Sequence, residues 1–260
     1  MDRGEPTSQR RRFFLRRLHS LTGVAPVGVF LVAHLYTNAS ALAGRRAFDR
    51  AVGEIQSTPA LGAVELFGVL LPLAFHALYG VVIALQARPN LRDYPYTRHW
   101  MFVLQRVTGF AALGFIVLHL AQFRLPKLTG SLPWTGFYPA LERTLDAPGM
   151  FAVYLLGVTA CVVHFANGLW LAGSTWGFTA SERATRRSAV ACVVFGALLW
   201  ALGVNTLVHF FARCGGAIPL PGLRREDGCR DADVLGVAPA GRETLYSASG
   251  FPQTPRARRP

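Results

Sequence analysis

The chain has 260 residues, of which 52% are hydrophobic and only 16% charged, too apolar a mixture for an ordinary soluble domain of this size. Its formal net charge of +13 is spread between long apolar runs. It therefore reads as a feature of topology and lipid surface and argues against nucleic-acid binding.

In chain order, residues 1–17 are a basic segment carrying Arg3, Arg10, Arg11, Arg12, Arg16 and Arg17. Five runs of 20 or more residues nearly free of charge follow, at about Leu18 to Leu42, Leu61 to Ala87, Met101 to Phe123, Pro148 to Gly173 and Ala189 to Phe211. Each is long enough for a helix to cross a hydrocarbon core of about 30 Å. Interior residues such as Pro26, Pro72, Gly114 and Gly203 are tolerated there because neighbouring helices re-satisfy the backbone. The string "SQRRRFFLRRL" resembles a twin-arginine export signal and "ALA" at 41–43 its cleavage site, but such a signal needs a folded cargo behind it, and four more spans follow instead. The predicted fold class is an all-α bundle of five transmembrane helices: a basic segment 1–17, a membrane domain 18–211 and an extracytoplasmic, largely disordered tail 212–260 rich in Gly, Pro and Arg.

Orientation follows from the cations in the links. Twelve arginines lie in the N-terminal segment and in the second and fourth links, against six Arg or Lys in the first and third. By the positive-inside rule the N-terminus is cytoplasmic and, after five spans, the C-terminus is outside.

Four of the spans each carry one histidine in apolar surroundings: His34 in "GVFLVAHLYTN", His76 in "LPLAFHALYG", His119 in "GFIVLHLAQF" and His164 in "TACVVHFANG". Counting from the inner edge at 1.5 Å per residue places His34 and His119 at about 24 Å or a little beyond, in the outer third. Spans two and four run inward, and the same count puts His76 and His164 in the inner third. The histidines thus form two pairs separated along the membrane normal by roughly 15 Å.

A neutral imidazole is a strong axial ligand for haem iron, and two of them on facing helices hold a haem in the core of a bundle. Two pairs imply two haems, with His34 and His119 as iron ligands of the outer and His76 and His164 of the inner. No C-x-x-C-H string occurs, so the haems are expected to be b-type. Gly80 and Gly168 each follow a histidine by one helical turn, where a missing side chain would let a macrocycle approach the backbone. The alternative is four histidines bonded to hydroxyls or carbonyls between helices.

These residues resemble a known family, the five-helix, two-haem cytochrome b membrane anchors of succinate dehydrogenase and fumarate reductase (complex II). The matching strings are "RRLHSLTGVAPVG" at 16–28, "LVAHL" at 31–35, "LPLAFHALYG" at 71–80, "RHWMFVLQRVTG" at 98–109, "HFANGLW" at 164–170 and "TWG" at 175–177. The resemblance covers about residues 10–211 and implies the same pairing of His34 with His119 and of His76 with His164. It also implies partners: a flavoprotein and an iron–sulfur subunit on the cytoplasmic face, and menaquinone or ubiquinone in the bilayer. Such a chain has no dicarboxylate site of its own. Its implied setting is the bacterial cytoplasmic membrane, and its implied docking face is the N-terminal arginines with the 88–99 and 174–188 links. Residues after 211 depart from the family pattern.

Further candidates surround the pairs. Glu65 is the only acidic residue within the five predicted spans, nearer the outer pair, and suits proton transfer to quinone; the alternative is an interfacial carboxylate bonded to Arg45 or Arg46. His19, Ser20, Arg17 and Arg106 lie near the inner edge as possible propionate or quinone contacts. An Arg at such a position equally snorkels to the headgroups. Cys161 and Cys192 lie within spans and should stay reduced, whereas Cys214 and Cys229 on the outer side are free to pair or not. Two other readings stay open at this point, a di-haem anchor of another dehydrogenase such as a hydrogenase or formate dehydrogenase, and a histidine-bearing transporter without haem.

Overall fold

The computed structural model describes residues 5–86 and 97–213, and the elements formed there are helices joined by turns. Five helices are long and apolar enough to cross a membrane: Gln9–Ala43, Leu61–Leu85, His99–Leu128, Pro148–Thr175 and Glu182–Ala212. They are the five expected spans, here called the first to the fifth. The first differs at its start. Its helix begins at Glu5 instead of near Leu18, because the arginines of the basic segment are good helix formers and no breaker interrupts them before Thr22. The tail with Cys214 and Cys229, and residues 87–96 of the second link, lie outside the described residues.

Three spans carry a proline that reshapes the helix around it. Proline lacks an N–H and its ring crowds the carbonyl four residues back, a clash relieved by widening the turn by one residue. π-helical turns accordingly occupy Gly23–Val27, which contains Pro26; Val64–Leu70, followed by Pro72; and Leu120–Arg124, followed by Pro126. Pro148 instead opens the fourth span in its first turn, where no N–H partner is needed.

The fourth span packs against the third and the fifth, and the first against the second, the fourth and the fifth. The first four therefore enclose a common interior, with the fifth lying outside against the first and fourth. Close approach is set by small residues: a Cβ on Gly28 would lie 2.2 Å from Phe165, and one on Gly157 2.2 Å from Phe115. Outward-facing side chains stay apolar. Phe67, Leu78, Leu156 and Val193 are 67–71% exposed, which in a bundle of this composition marks the lipid face.

Two short helices between spans, Arg45–Gln56 and Phe137–Asp146, were not anticipated from the sequence. Each is amphipathic and too short to stand out beside a membrane span. Phe48 and Val52 of one, and Tyr138, Leu141 and Leu145 of the other, are buried with Ala41, Tyr154, Leu207 and Phe210 in one cluster. The Tyr138 ring centre lies 5.5 Å from that of Phe48 and 5.1 Å from that of Phe210. This cluster caps the end of the bundle where the first and fifth spans finish and the fourth begins.

Candidate functional site: two histidine pairs in the bundle

His76 of the second span and His164 of the fourth meet in the interior, their ring centres 6.1 Å apart and their planes 80° apart. Each imidazole is held through Nδ1 by a backbone carbonyl of the neighbouring span. His76 Nδ1 lies 2.9 Å from the carbonyl oxygen of His19, and His164 Nδ1 lies 3.0 Å from that of Gln105. A neutral imidazole has one N–H; donating it from Nδ1 leaves the Nε2 lone pair for a ligand.

Both rings sit over glycines. A Cβ on Gly23 would lie 2.3 Å from Cε1 of His76, and one on Gly109 would lie 2.9 Å from Cε1 of His164. Gly80 and Gly168, expected to make room for a macrocycle, receive side chains instead: a Cβ on either would lie 3.0 Å from His19 Cε1 or Gln105 Nε2. The reason is the antiparallel packing of neighbouring spans, which sets a glycine of one helix opposite a side chain of the next.

His34 of the first span and His119 of the third form the second pair, with ring centres 5.8 Å apart and planes at 74°. Phe30 stacks on His34 at 5.3 Å and Phe115 on His119 at 5.8 Å, each from one helical turn away. His119 Nδ1 lies 3.3 Å from the Tyr154 hydroxyl, which donates in turn to Gln122 Oε1 at 2.5 Å. Asn38 Nδ2 donates to the His34 carbonyl at 2.8 Å and lies 3.4 Å from His34 Nε2.

The remaining predicted residues divide. His19 joins the inner pair, its ring stacked on His76 at 4.1 Å with planes 6° apart, and its buried Nδ1 has no partner. Arg106 donates from Nη1 to the Phe102 carbonyl at 2.7 Å, and its buried Nε has no partner. Arg17 and Ser20 are engaged elsewhere. The Arg17 guanidinium lies 4.9 Å from the centre of the Phe13 ring and 4.8 Å from that of Trp176, and Trp176 Nε1 donates to Ser20 Oγ at 3.2 Å.

Glu65 is bonded neither to Arg45 nor to Arg46. Arg124 Nη1 donates to its Oε2 and Lys127 Nζ to its Oε1, the latter at 3.2 Å, while Arg45 pairs with Asp49 at 3.4 Å. The π turns at Val64–Leu70 and Leu120–Arg124 bring Glu65 and Arg124 to the same face of two adjacent spans. Cys161 and Cys192 are both free thiols, as expected within spans.

Sequence reasoning missed Gly23, Gly109, Gln105, Gln122 and Tyr154. Part of the signal was present: "LHSLTG" at 18–23 and "LQRVTG" at 104–109 are the same motif, as are "FLVAH" at 30–34 and "FIVLH" at 115–119. Thr22 Oγ1 donates to the Leu18 carbonyl at 2.9 Å, and Thr108 Oγ1 to the Leu104 carbonyl at 2.7 Å, so the two hexads fold alike.

No protein-family model matches the chain. It is 41% identical over 204 residues, covering 78% of this chain and 99% of the other, to the succinate dehydrogenase cytochrome b558 subunit of Bacillus subtilis (strain 168). At that identity and coverage, with five spans and histidine pairs facing each other inside the bundle, the chain belongs to the family of succinate dehydrogenase cytochrome b subunits.

Proposed function

We propose that the chain holds two b-type haems, one between His34 and His119 and one between His76 and His164, and anchors a succinate:quinone oxidoreductase in the membrane. The observation that carries this reading is the spacing of the imidazoles. Two imidazoles that held one iron between them through bonds of about 2 Å, each ring centre roughly 1 Å further out, would have their centres about 6 Å apart. The pairs stand at 5.8 and 6.1 Å. Among the described residues no group of three His, Cys, Asp or Glu is arranged to hold a metal ion, and His19 lies flat on His76 without joining it as a ligand. Each pair would therefore give a metal two nitrogens, and a porphyrin would bring the remaining donors with it. When bound, haem supplies a one-electron carrier at each level.

The chain's own residues do the orienting. The carbonyls of His19 and Gln105 hold the inner imidazoles by Nδ1, and Tyr154 with Gln122 holds His119. The unpartnered nitrogens His19 Nδ1 and Arg106 Nε are suited to the anionic propionates of a haem. Arg17 and Ser20 act at one remove, tying the first span to Trp176.

The orientation we propose has the N-terminus cytoplasmic and the C-terminus outside, in a bacterial cytoplasmic membrane. The iron–sulfur subunit, which joins the flavoprotein to this anchor, docks on the basic first segment and the second and fourth links. Trp170 Nε1, donating to the Thr185 carbonyl at 3.2 Å, helps to hold the fourth link in place. Quinone, menaquinone or ubiquinone, reacts near the outer pair with Glu65 as the proton-transferring group.

A reduced-minus-oxidised spectrum with a haem-to-protein ratio on the purified complex tests the reading. Two b-type haems per chain, with co-purifying flavin and succinate oxidation, are expected. Absence of b-haem bands overturns it and revives the transporter reading.

A further inference from the structure

The first four spans are two copies of one helical hairpin. The first span contributes "LHSLTG" and "FLVAH", and the third "LQRVTG" and "FIVLH"; the second contributes "HALYG" and the fourth "HFANG". In both hairpins the glycine after the threonine faces the imidazole of the partner span, and the glycine one turn after that histidine faces the residue at the second position of the hexad. That second position is His19 in one copy and Gln105 in the other. The contact is reciprocal in each case.

We propose that His19 and Gln105 are equivalent positioning residues, each setting the plane of the imidazole presented by its partner span, His76 and His164 respectively. A carbonyl on Nδ1 and a glycine beneath Cε1 fix where each imidazole lies. The rotation of the ring about its Cβ–Cγ bond is held further by a contact to its face or edge. His19 supplies one by lying flat on His76, at 4.1 Å and 6°. Gln105 supplies a different one: its amide is held by donation from Nε2 to the His164 carbonyl at 3.1 Å and by acceptance at Oε1 from Asn167 Nδ2 at 2.7 Å, and it lies 3.4 Å from His164 Nε2, where it acts by steric contact alone once that nitrogen is given to a metal. A ring face on one side and an amide edge on the other leave the two imidazoles with planes 80° apart. An inner haem gripped by this pair has its ligand geometry set by the one position at which the two hexads carry different polar side chains of similar reach.

This inference rests on the two-haem reading, and its test separates the two. The low-temperature electron paramagnetic resonance spectrum of an oxidised low-spin haem reports the angle between its axial ligand planes. It is recorded on the purified complex for the wild type, His19→Leu, His19→Gln and Gln105→Leu, alongside a haem count. Every variant keeps the backbone carbonyl that holds the imidazole, so the ligands stay in place. Because His19 Nδ1 also faces a propionate, the His19 variants are expected to hold the inner haem less fully, and the inner signal, read per inner haem retained, should shift while the outer does not. His19→Gln, which makes the two cradles alike, should shift it in a different way from His19→Leu. If a variant fails to assemble, Gly80→Ala and Gly168→Ala displace the same two side chains from their seats and are read in the same way. An inner signal unmoved in the assembled variants overturns the positioning role. Fewer than two haems in the wild type overturns the reading beneath it.

Discussion

Arg124 and Glu65 form an ion pair between two π turns, tying the third span to the second, with Lys127 on the other carboxylate oxygen. All three side chains are only 20–25% exposed. A single carboxylate facing two cations leaves one positive charge in excess, close in sequence to His119.

Glu65→Gln keeps the shape and removes the titratable group. Both haems should survive, dye-linked succinate oxidation should stay near normal, and quinone turnover should fall severalfold. The dye assay bypasses the quinone site and serves as the internal control. Loss of the pair should also cost about 1–3 kcal/mol of stability, since two cations lose a partly buried partner. Unchanged quinone turnover would leave Glu65 with a purely structural role between the spans.

If quinone reacts on the outer side, charge must cross most of the bilayer between it and the cytoplasmic dehydrogenase. The potential difference then acts at about 2.3 kcal/mol per charge per 100 mV. Succinate:quinone activity in sealed vesicles should respond to an imposed potential, whereas the dye-linked activity should not. Equal insensitivity of both would place the quinone site on the cytoplasmic side.

Substituting one member of a pair should empty one site only. His34→Ala or His119→Ala is expected to halve the haem content by removing the outer haem, and His76→Ala or His164→Ala by removing the inner. Spectral and haem-ratio measurements check this directly. Two haems remaining in any single variant would refute the assignment.

Gly23→Ala and Gly109→Ala introduce a methyl group 2.3 Å from His76 and 2.9 Å from His164. The ring is the part able to move, and the ring is the proposed ligand. Overpacking of this kind costs about 1–3 kcal/mol. The expected result is a weakened or absent inner haem with the outer haem retained, read from the difference spectrum; a normal inner haem in both variants would mean that the cradle yields.

Within the repeated motifs the first and third spans differ in one spacing. From Gly23 to Phe30 is one residue longer than from Gly109 to Phe115, and the surplus residue falls beside the π turn Gly23–Val27. A π turn takes up one residue more than an α turn, so it keeps His34 facing inward as His119 does, with Phe30 and Phe115 each stacked on the histidine one turn on. Deleting Pro26 should therefore be tolerated, with the turn relaxing to α and both haems retained. Deleting Ala112 from the third span, whose helix is regular from Thr97 to His119, should rotate His119 by about 100° and remove the outer haem. Haem loss in the Pro26 deletion, or retention in the Ala112 deletion, would contradict this account.

Length, hydrophobicity and the spacing of histidines are one-dimensional quantities, and the sequence by itself determined what depends on them: five spans, and the pairing of His34 with His119 and of His76 with His164. A fixed rise per residue turns sequence position into depth, so residues counted from opposite edges can be matched without knowing how the helices pack. The partners of those histidines depend on which helix faces are in contact, and only the tertiary structure decided them. His76 reaches a carbonyl 57 residues away and Glu65 a guanidinium 59 residues away. Arg17 likewise went to Trp176, and Gly80 and Gly168 to His19 and Gln105. The π turns add a further shift, because a proline relieved by a wider turn changes the facing of every residue beyond it, and an α-helical count cannot register that change.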